Sequence, residues 1–380
     1  MKILKKTSRI IIGMVFTFSG IVKAIDPVGS QIKFTDYFNA FGLSSLGLIA
    51  LTLAVILSAL EFLVGVCLLF NVKPKLASFG ALIFMIIFTP LTLYIAIADP
   101  VSDCGCFGDA LIITNWQTFW KNIILIVLAV FLFIEIKKEK LVNNLKFDYS
   151  FIALSTIFIF WFQIFNIRHL PVIDFRPYSE GTFIPDKMKT PENAKKDSTI
   201  TYLYYQKNGE TKKFYIDDIP WQDTSWKWVK TETKIIEKGY VPPIHDFSMF
   251  SFDIYSKEQD GSINILNEVL ADTSYSFLII SHDLVENRFT DYEAIKIIKK
   301  NSVKYKYQMY FLTSSTAQDI KLFNKLLNLN IKFYVTDGLT LQTIIRSNPG
   351  LVLLKQGKII RKWHKNDFPT MEEVEEIIKK

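Results

Sequence analysis

The feature that most restricts this chain is the crowding of apolar residues into the first 167 of its 380 positions. Five stretches there, about 8–25, 46–70, 76–98, 116–136 and 148–167, approach or exceed the roughly 20 residues a bilayer crossing takes. A bilayer core offers the backbone no water to bond to, so stretches of this kind must be helices. Half of all residues are hydrophobic and 32 are Phe. The length suits two or three domains, and the asymmetry predicts a membrane half followed by a soluble half.

Lysines and arginines orient the spans. Lys2, Lys5, Lys6, Arg9, Lys73, Lys75, Lys137, Lys138, Lys140 and Lys146 would share one side, against Lys23 and Lys33 on the other. The side rich in positive charge is cytoplasmic. That puts the N-terminus in the cytoplasm, with the loop at 103–109 and everything after Arg168 outside. In a bacterium with two membranes the expected location is the inner membrane with a periplasmic C-terminal domain, where disulfides are permitted. The first stretch, with Lys5-Lys6 before it and Val22-Lys23-Ala24 at its end, is also similar to a signal peptide. We read it as a retained span because it carries internal patterning. The net charge of +7 comes without a dense basic tract interleaved with aromatics. It therefore speaks for membrane topology and against a nucleic-acid partner, and the lipid bilayer is the expected surrounding.

The outward loop reads Asp103-Cys104-Gly105-Cys106-Phe107-Gly108-Asp109, and holds two of only three cysteines. Three are too few for a disulfide-built scaffold. A C-x-C pair at a membrane surface is a redox couple, a permanent staple, or half of a soft-metal site. A disulfide closed over one residue is strained and more readily reduced. Two sulfurs with no nearby His make the metal reading the weakest, so no metal is expected. Asp103 and Asp109 would raise the thiol pKa unless Lys121 or the start of the fourth span offsets them.

Glu61 lies inside the second span, where a carboxylate is costly and functional by default. It has Arg9 and Lys23 as available cations, or it touches a quinone or a lipid headgroup, or it makes a structural hydrogen bond. Cys67 reads as a buried apolar cysteine. Residues 29–43 read as a short amphipathic helix lying on the membrane surface. Trp116 and Trp120 sit at the interface level, behind a cap at Thr114 or Asn115.

Beyond the fifth span, residues 168–195 hold four prolines and read as an extended linker. A hairpin follows, Ile200 to Tyr205 and Lys212 to Ile216 about Asn208-Gly209. Trp226 to Val229 and Lys234 to Ile236 add strands, and Trp221, Trp226 and Trp228 are expected to pack this small sheet. From about 245 the order is strand (Tyr275 to Ile280), helix (Asp291 to Lys300), strand (Tyr307 to Thr313), helix (Thr316 to Leu329), strand (Ile331 to Thr336). A hairpin (Leu351 to Leu354, Ile359 to Trp363) and a closing helix (Thr370 to Lys380) complete an α/β pattern. His245 and His364 show no partner in sequence.

Arg9-x-x-x-Gly13, Phe18-Ser19-Gly20, Lys23, Asp26-Pro27 and Glu61-x-x-x-Gly65, with Cys104-Gly105-Cys106-Phe107-Gly108, resemble the DoxX/MauE family of four-span membrane proteins. That resemblance implies maturation of disulfide-rich periplasmic enzymes or quinone-linked redox chemistry. Asn348-Pro349 before a strand, and Lys355-Gln356-Gly357-Lys358 after it, resemble a thioredoxin-like domain, which implies a cis Pro349. Ser281-His282-Asp283-Leu284 stands where such a domain carries C-x-x-C, so dithiol chemistry there is excluded. Ser, His and Asp adjacent in sequence do not make a triad. The whole is similar to envelope proteins of Bacteroidetes-type bacteria. It implies a DoxX/MauE-like domain at 1–140, a fifth transmembrane helix at 141–168, a periplasmic linker and β region at 169–244, and a thioredoxin-like domain lacking C-x-x-C at 245–380. Two functional readings stand. One is a thiol–disulfide or quinone-linked membrane redox component with Cys104 and Cys106 as the couple. The other is a non-catalytic assembly protein whose thioredoxin-like domain docks a periplasmic partner.

Overall fold

The computed structural model describes residues 2–101, 103–138, 145–219, 223–237, 239–251, 263–286, 292–305, 307–327 and 332–379. It forms two compact units, Met1–Thr182 with Ser248–Lys380, and Phe183–Phe247.

The apolar stretches of the larger unit are helices. In chain order they are α1 (Lys2–Ile25), α2 (Pro27–Ala40), a 3-10 turn (Ser44–Ile49), α3 (Ala50–Leu69), α4 (Pro74–Ala98), α5 (Asn115–Lys137) and α6 (Leu145–Arg168). All but α2 are long and apolar enough to cross a membrane. Small residues let α4 and α5 meet closely, with Ala77, Ala81 and Met85 packed with Leu125, Ala129 and Leu132. Polar side chains of α6 fix it to the rest: Ser58 Oγ donates to Gln163 Oε1 at 2.7 Å and Asn166 Nδ2 to the Ala24 carbonyl at 3.2 Å.

Two expectations for this unit change. The helix expected over 29–43 runs instead over Pro27–Ala40, because Asp26 caps it by accepting from Gly29 N at 2.8 Å and Pro27 starts it. Its residues 28–38 are half-buried all round rather than split into a wet and an apolar face. The segment read as a linker is also fixed at its start. Arg176 and Tyr178 are buried, the Arg176 guanidinium gives hydrogen bonds to the Gln342 and Thr343 carbonyls, and Gly181 N and Thr182 O both pair with Ile359. Prolines keep it extended, and its polar groups find partners on the α/β domain instead of in a ladder.

The smaller unit holds α7 (Ile184–Met188) and a sheet of β1 (Ser198–Lys207), β2 (Glu210–Tyr215) and β3 (Lys227–Glu237), ordered β2-β1-β3. Asn208 and Gly209, at φ 52° and 87°, make the tight turn that needs left-handed residues. The two strands expected at 226–236 are one continuous strand whose register shifts absorb the irregularity. Trp226 packs edge-on against Phe214 with centroids 5.2 Å apart. Trp228 does not pack: it is 59% exposed and gives its N–H to Thr231. Trp221 lies outside the described residues.

The rest of the chain supplies β4 (Phe250–Ser251), α8 (Leu266–Ala271), β5 (Tyr275–Ile280), α9 (Glu293–Tyr305), β6 (Gln308–Thr313), α10 (Ala317–Leu327), β7 (Phe333–Val335), α11 (Gly338–Ile344), β8 (Gly350–Lys355), β9 (Lys358–His364) and α12 (Met371–Lys379). The sheet order is β4-β7-β6-β5-β8-β9, with β5, β6 and β7 parallel and the β8–β9 hairpin antiparallel. This is a thioredoxin-like arrangement. Alternate residues such as Phe277, Ile279, Phe311, Leu351 and Leu353 form one core face with Tyr292, Ile295, Phe323 and Val374. The Asn348–Pro349 bond is cis.

Candidate functional site

The site begins where α1 crosses α3. A Cβ added to Gly20 would lie 2.5 Å from Phe62 N, and one on Gly65 2.4 Å from Thr17 N. Only hydrogen fits at either place, so the two backbones touch. This contact sets Lys23 and Ser19 against Glu61. Glu61 is buried and faces the bundle, with Lys23 Nζ 2.8 Å from both carboxylate oxygens. Ser19 Oγ lies 2.7 Å from Glu61 Oε2 and 2.7 Å from the Cys106 carbonyl, so one hydroxyl hydrogen serves two acceptors. Arg9, the other available cation, is not part of this group. It lies nearly four turns earlier on α1 and gives a hydrogen bond to Asn71 Oδ1.

The cysteine loop is fastened above this pair. Asp99 leaves α4 in the left-handed region, at φ 46°, and accepts from Asn115 Nδ2 at 3.0 Å. Thr114 caps α5 with a reciprocal bond to Gln117. Between these anchors, Gly105 (φ 64°) and Gly108 (φ 52°) turn the chain. Asp103 accepts from Gly105 N at 2.8 Å and pairs with Lys33 at 2.6 Å, while the Tyr37 hydroxyl donates to the Cys104 carbonyl. Two residues of α2 and one of α1 thus hold three points of a seven-residue loop.

Cys104 and Cys106 are half-buried free thiols joined by a hydrogen bond. That bond pushes the Cys104 thiol up, with burial acting in the same direction. The same bond pulls Cys106 down to about 7, against burial, with the Lys121 and Lys23 ammonium groups helping and Glu61 opposing. Lys121 also sits 4.2 Å above the Phe107 ring. The anions expected to suppress the thiolate are both paired: Asp103 with Lys33, and Asp109 with Arg346 at 3.5 Å. Cys67 is separate and buried in α3.

Arg346 comes from the segment leading to Pro349. Its Nε lies 3.0 Å from Asp26 Oδ2, its Nη2 3.0 Å from the same oxygen, and its Nη1 donates to the Gln342 carbonyl at 2.7 Å. No local sequence signal marks this residue. Pro349 itself is buried. In the turn that replaces C-x-x-C, Ser281 Oγ donates to Asn348 Oδ1 at 2.8 Å, and Asn348 Nδ2 to the Asp283 carbonyl at 2.8 Å. His364, expected without a partner, is buried and accepts from Asn366 N, while His245 meets Asp246 and the Pro242 carbonyl.

Residues 1–135 match the MauE family. Its model is described as methylamine utilisation protein MauE. Residues 199–238 match a second family, described as a domain of unknown function (DUF8463). The solution structure of a protein assigned as a disulfide isomerase from Bacteroides thetaiotaomicron is similar at 13% identity and a TM-score of 0.27, over 35% of this chain and 82% of that one. No curated protein matches the chain.

A cavity of ≈ 50 Å³ opens beside Cys106 in the MauE-like domain, walled by Phe16, Phe84 and Phe88 with Ser19, Lys23 and Glu61. Aromatic walls with a few donors suit a quinone chemically. The volume does not: a cavity of about 150 Å³ is what holds a benzene ring. The residues as placed do not accommodate a quinone, and no step is derived through one. Among the described residues no group of three His, Cys, Asp or Glu is placed to hold a metal ion.

Proposed function

We propose that the protein is a membrane thiol–disulfide exchange component of the cell envelope, with Cys104 and Cys106 as its couple. The observation that carries this reading is the asymmetry of the pair: Cys106 is favoured as thiolate near neutral pH, and Cys104 holds the proton. The thiolate is the nucleophile in exchange. Cys106 Sγ attacks one sulfur of a partner protein's disulfide, that S–S bond breaks, and the first partner sulfur leaves as thiolate. Cys104 then gives its proton to that leaving thiolate and attacks Cys106 Sγ. The mixed disulfide breaks and the Cys104–Cys106 disulfide forms. Two electrons pass to the partner, whose second sulfur takes a proton from water. The reverse sequence oxidises a partner dithiol.

The test is trapping in cells. Cys104→Ser keeps the attacking sulfur and lacks the resolving one, so it should accumulate a mixed disulfide with a partner, visible on non-reducing gels and absent from Cys106→Ser. A pair that stays oxidised under all conditions, with both variants functional, would leave only a structural staple and favour the assembly-protein reading. That second reading rests on the absence of any cysteine after residue 106.

We place the protein in an inner membrane with five spans, a cytoplasmic N-terminus and a periplasmic C-terminal domain. The reasons are the lysine and arginine bias and the need of a disulfide couple for an oxidising side. Reporter fusions at Asn144 and Lys207 should read as cytoplasmic and external respectively, and the reverse would overturn the orientation. The domain boundaries proposed are those given above, 1–140, 141–168, 169–244 and 245–380.

A further inference from the structure

A second cavity, ≈ 530 Å³, lies at the C-terminal end of α6, far larger than the one at Cys106 and unused by the exchange reaction. Its volume is in the range of small-ligand sites, about 300–1,000 Å³. Phe165, His169 and Val172 bound it on one side and Arg361, Trp363 and His364 on the other.

Its polar wall is uneven in what it leaves free. Three carboxylates line it, and each is already engaged. Asp174 takes Arg176 Nε at 2.8 Å and Lys362 Nζ at 2.6 Å. Glu180 takes Arg361 Nη1 at 3.1 Å and the Lys362 backbone N–H at 2.8 Å. Asp367 faces His169 Nδ1 at 2.7 Å and 2.9 Å. The Lys362 ammonium is likewise spent, on Asp174 and on the Tyr178 and Ile344 carbonyls.

What remains is donor capacity. Burial pushes His364 down to about 4, so its ring is neutral at neutral pH. Its Nδ1 accepts from Asn366 N at 3.2 Å, so the ring hydrogen is on Nε2. That Nε2–H has no hydrogen-bond partner among the described residues. The Arg361 side chain is 54% exposed with one N–H committed to Glu180. His169, with Nδ1–H given to Asp367, presents Nε2, an acceptor when neutral and a donor when charged. The two imidazole centroids are 6.5 Å apart.

Depth selects the kind of anion. His169 follows directly on Arg168, the last residue of a membrane-length helix, so the cavity lies where hydrocarbon gives way to headgroups. Phe165 and Val172, 37% and 51% exposed, continue the apolar surface into it. We propose that this cavity is a phosphate site, held by His169, His364 and Arg361, that takes a phosphate ester such as a bilayer phospholipid presents at that depth.

The full-length chain, purified in a maltoside detergent, is incubated with phosphatidylglycerol, diacylglycerol or inorganic phosphate and examined by native mass spectrometry. Wild type should retain one phosphatidylglycerol per chain. Arg361→Gln with His364→Gln should weaken retention at least tenfold, and diacylglycerol, which lacks the phosphate, should not bind. Displacement of the lipid by inorganic phosphate, or binding of inorganic phosphate alone, supports the phosphate site and in the second case assigns a soluble source. Equal lipid retention by wild type and variant, or equal binding of diacylglycerol, overturns the proposal. Should the double variant unfold, Arg361→Gln alone, at an exposed side chain, carries the same test, and Arg361→Lys should restore part of the binding.

Discussion

Removing the Lys121 ammonium should raise the Cys106 pKa, and removing the Glu61 carboxylate should lower it. The starting value is about 7, so half of Cys106 is thiolate at pH 7. An opposite charge nearby is worth 1–3 pKa units when close. The lower end applies to Lys121, because its ammonium also rests on the Phe107 ring and the loop is reached by water. One unit is about 1.4 kcal/mol. A pKa of about 8 leaves roughly a tenth of the thiol ionised at pH 7, so alkylation there should slow about fivefold in Lys121→Gln. Glu61→Gln keeps shape and removes the anion that opposes ionisation, leaving Lys23 uncompensated, and the midpoint should move below 7. The measurement is iodoacetamide labelling of the full chain in nanodiscs from pH 5 to 10, read at the Cys106 peptide by mass spectrometry, in a Cys67→Ala background. Cys104→Ala, which removes the donor, should move the midpoint upward by more than Lys121→Gln, since the thiol–thiolate hydrogen bond is the largest influence. If Lys121→Gln and Glu61→Gln shift Cys106 in the same direction, the charges assigned to the site are wrong.

Gly20→Ala should separate α1 from α3 and destabilise the bundle by about 1–3 kcal/mol or more, seen as a lower melting temperature. Gly47→Ala, where an added Cβ meets nothing within 4 Å, should melt like wild type. Arg346→Ala takes from Asp26 and Asp109 the guanidinium they share and should destabilise the fold, by less than the about 3–5 kcal/mol of a fully buried broken pair, because Arg176 and Lys33 remain nearby. Proteolysis of the segment at 170–182 should accelerate, while Arg346→Lys should lie between. His364 adds an acid sensitivity. Its folded pKa of about 4 lies below the unfolded value of about 6.5, so the unfolded chain binds the extra proton first. The stability it contributes is present above pH 6.5 and lost as pH falls toward 4. Chemical unfolding at pH 7 and pH 4.5 should show a loss that is smaller in His364→Gln, and equal losses would count against a buried neutral ring.

Elements with strong periodicity or unambiguous turns were plain in the residues. Five spans, the Asn208-Gly209 hairpin and strand Tyr275–Ile280 fall where their patterns put them. The elements not foreseen, β4, α7, α8 and α11, have two, five, six and seven residues, too few for a period to show. Glu61 and the cysteine loop announced themselves by being costly where they stand. The choice of Lys23 over Arg9 as the partner of Glu61 depends on which turn of α1 faces α3, which the close approach of Gly20 and Gly65 decides. Lys33 and Tyr37 are ordinary residues of a short helix until that helix is packed. Arg346 was unreadable for a different reason: its partner Asp26 is 320 positions away.

Asp26 is one carboxylate with two duties, closing the start of α2 and receiving Arg346. Because Asp109 shares that guanidinium, the thioredoxin-like domain, which has no cysteine, acts as counter-ion to the cysteine loop. A chain cut after residue 182 would keep all five spans and both thiols, yet lose the Arg346 guanidinium that Asp26 and Asp109 share, with only Arg176 and Lys33 left to offset them. Thiols measured on such a fragment would ionise in a more negative field than those of the whole protein. The α/β domain can thus shape the chemistry of the helical domain without touching a substrate.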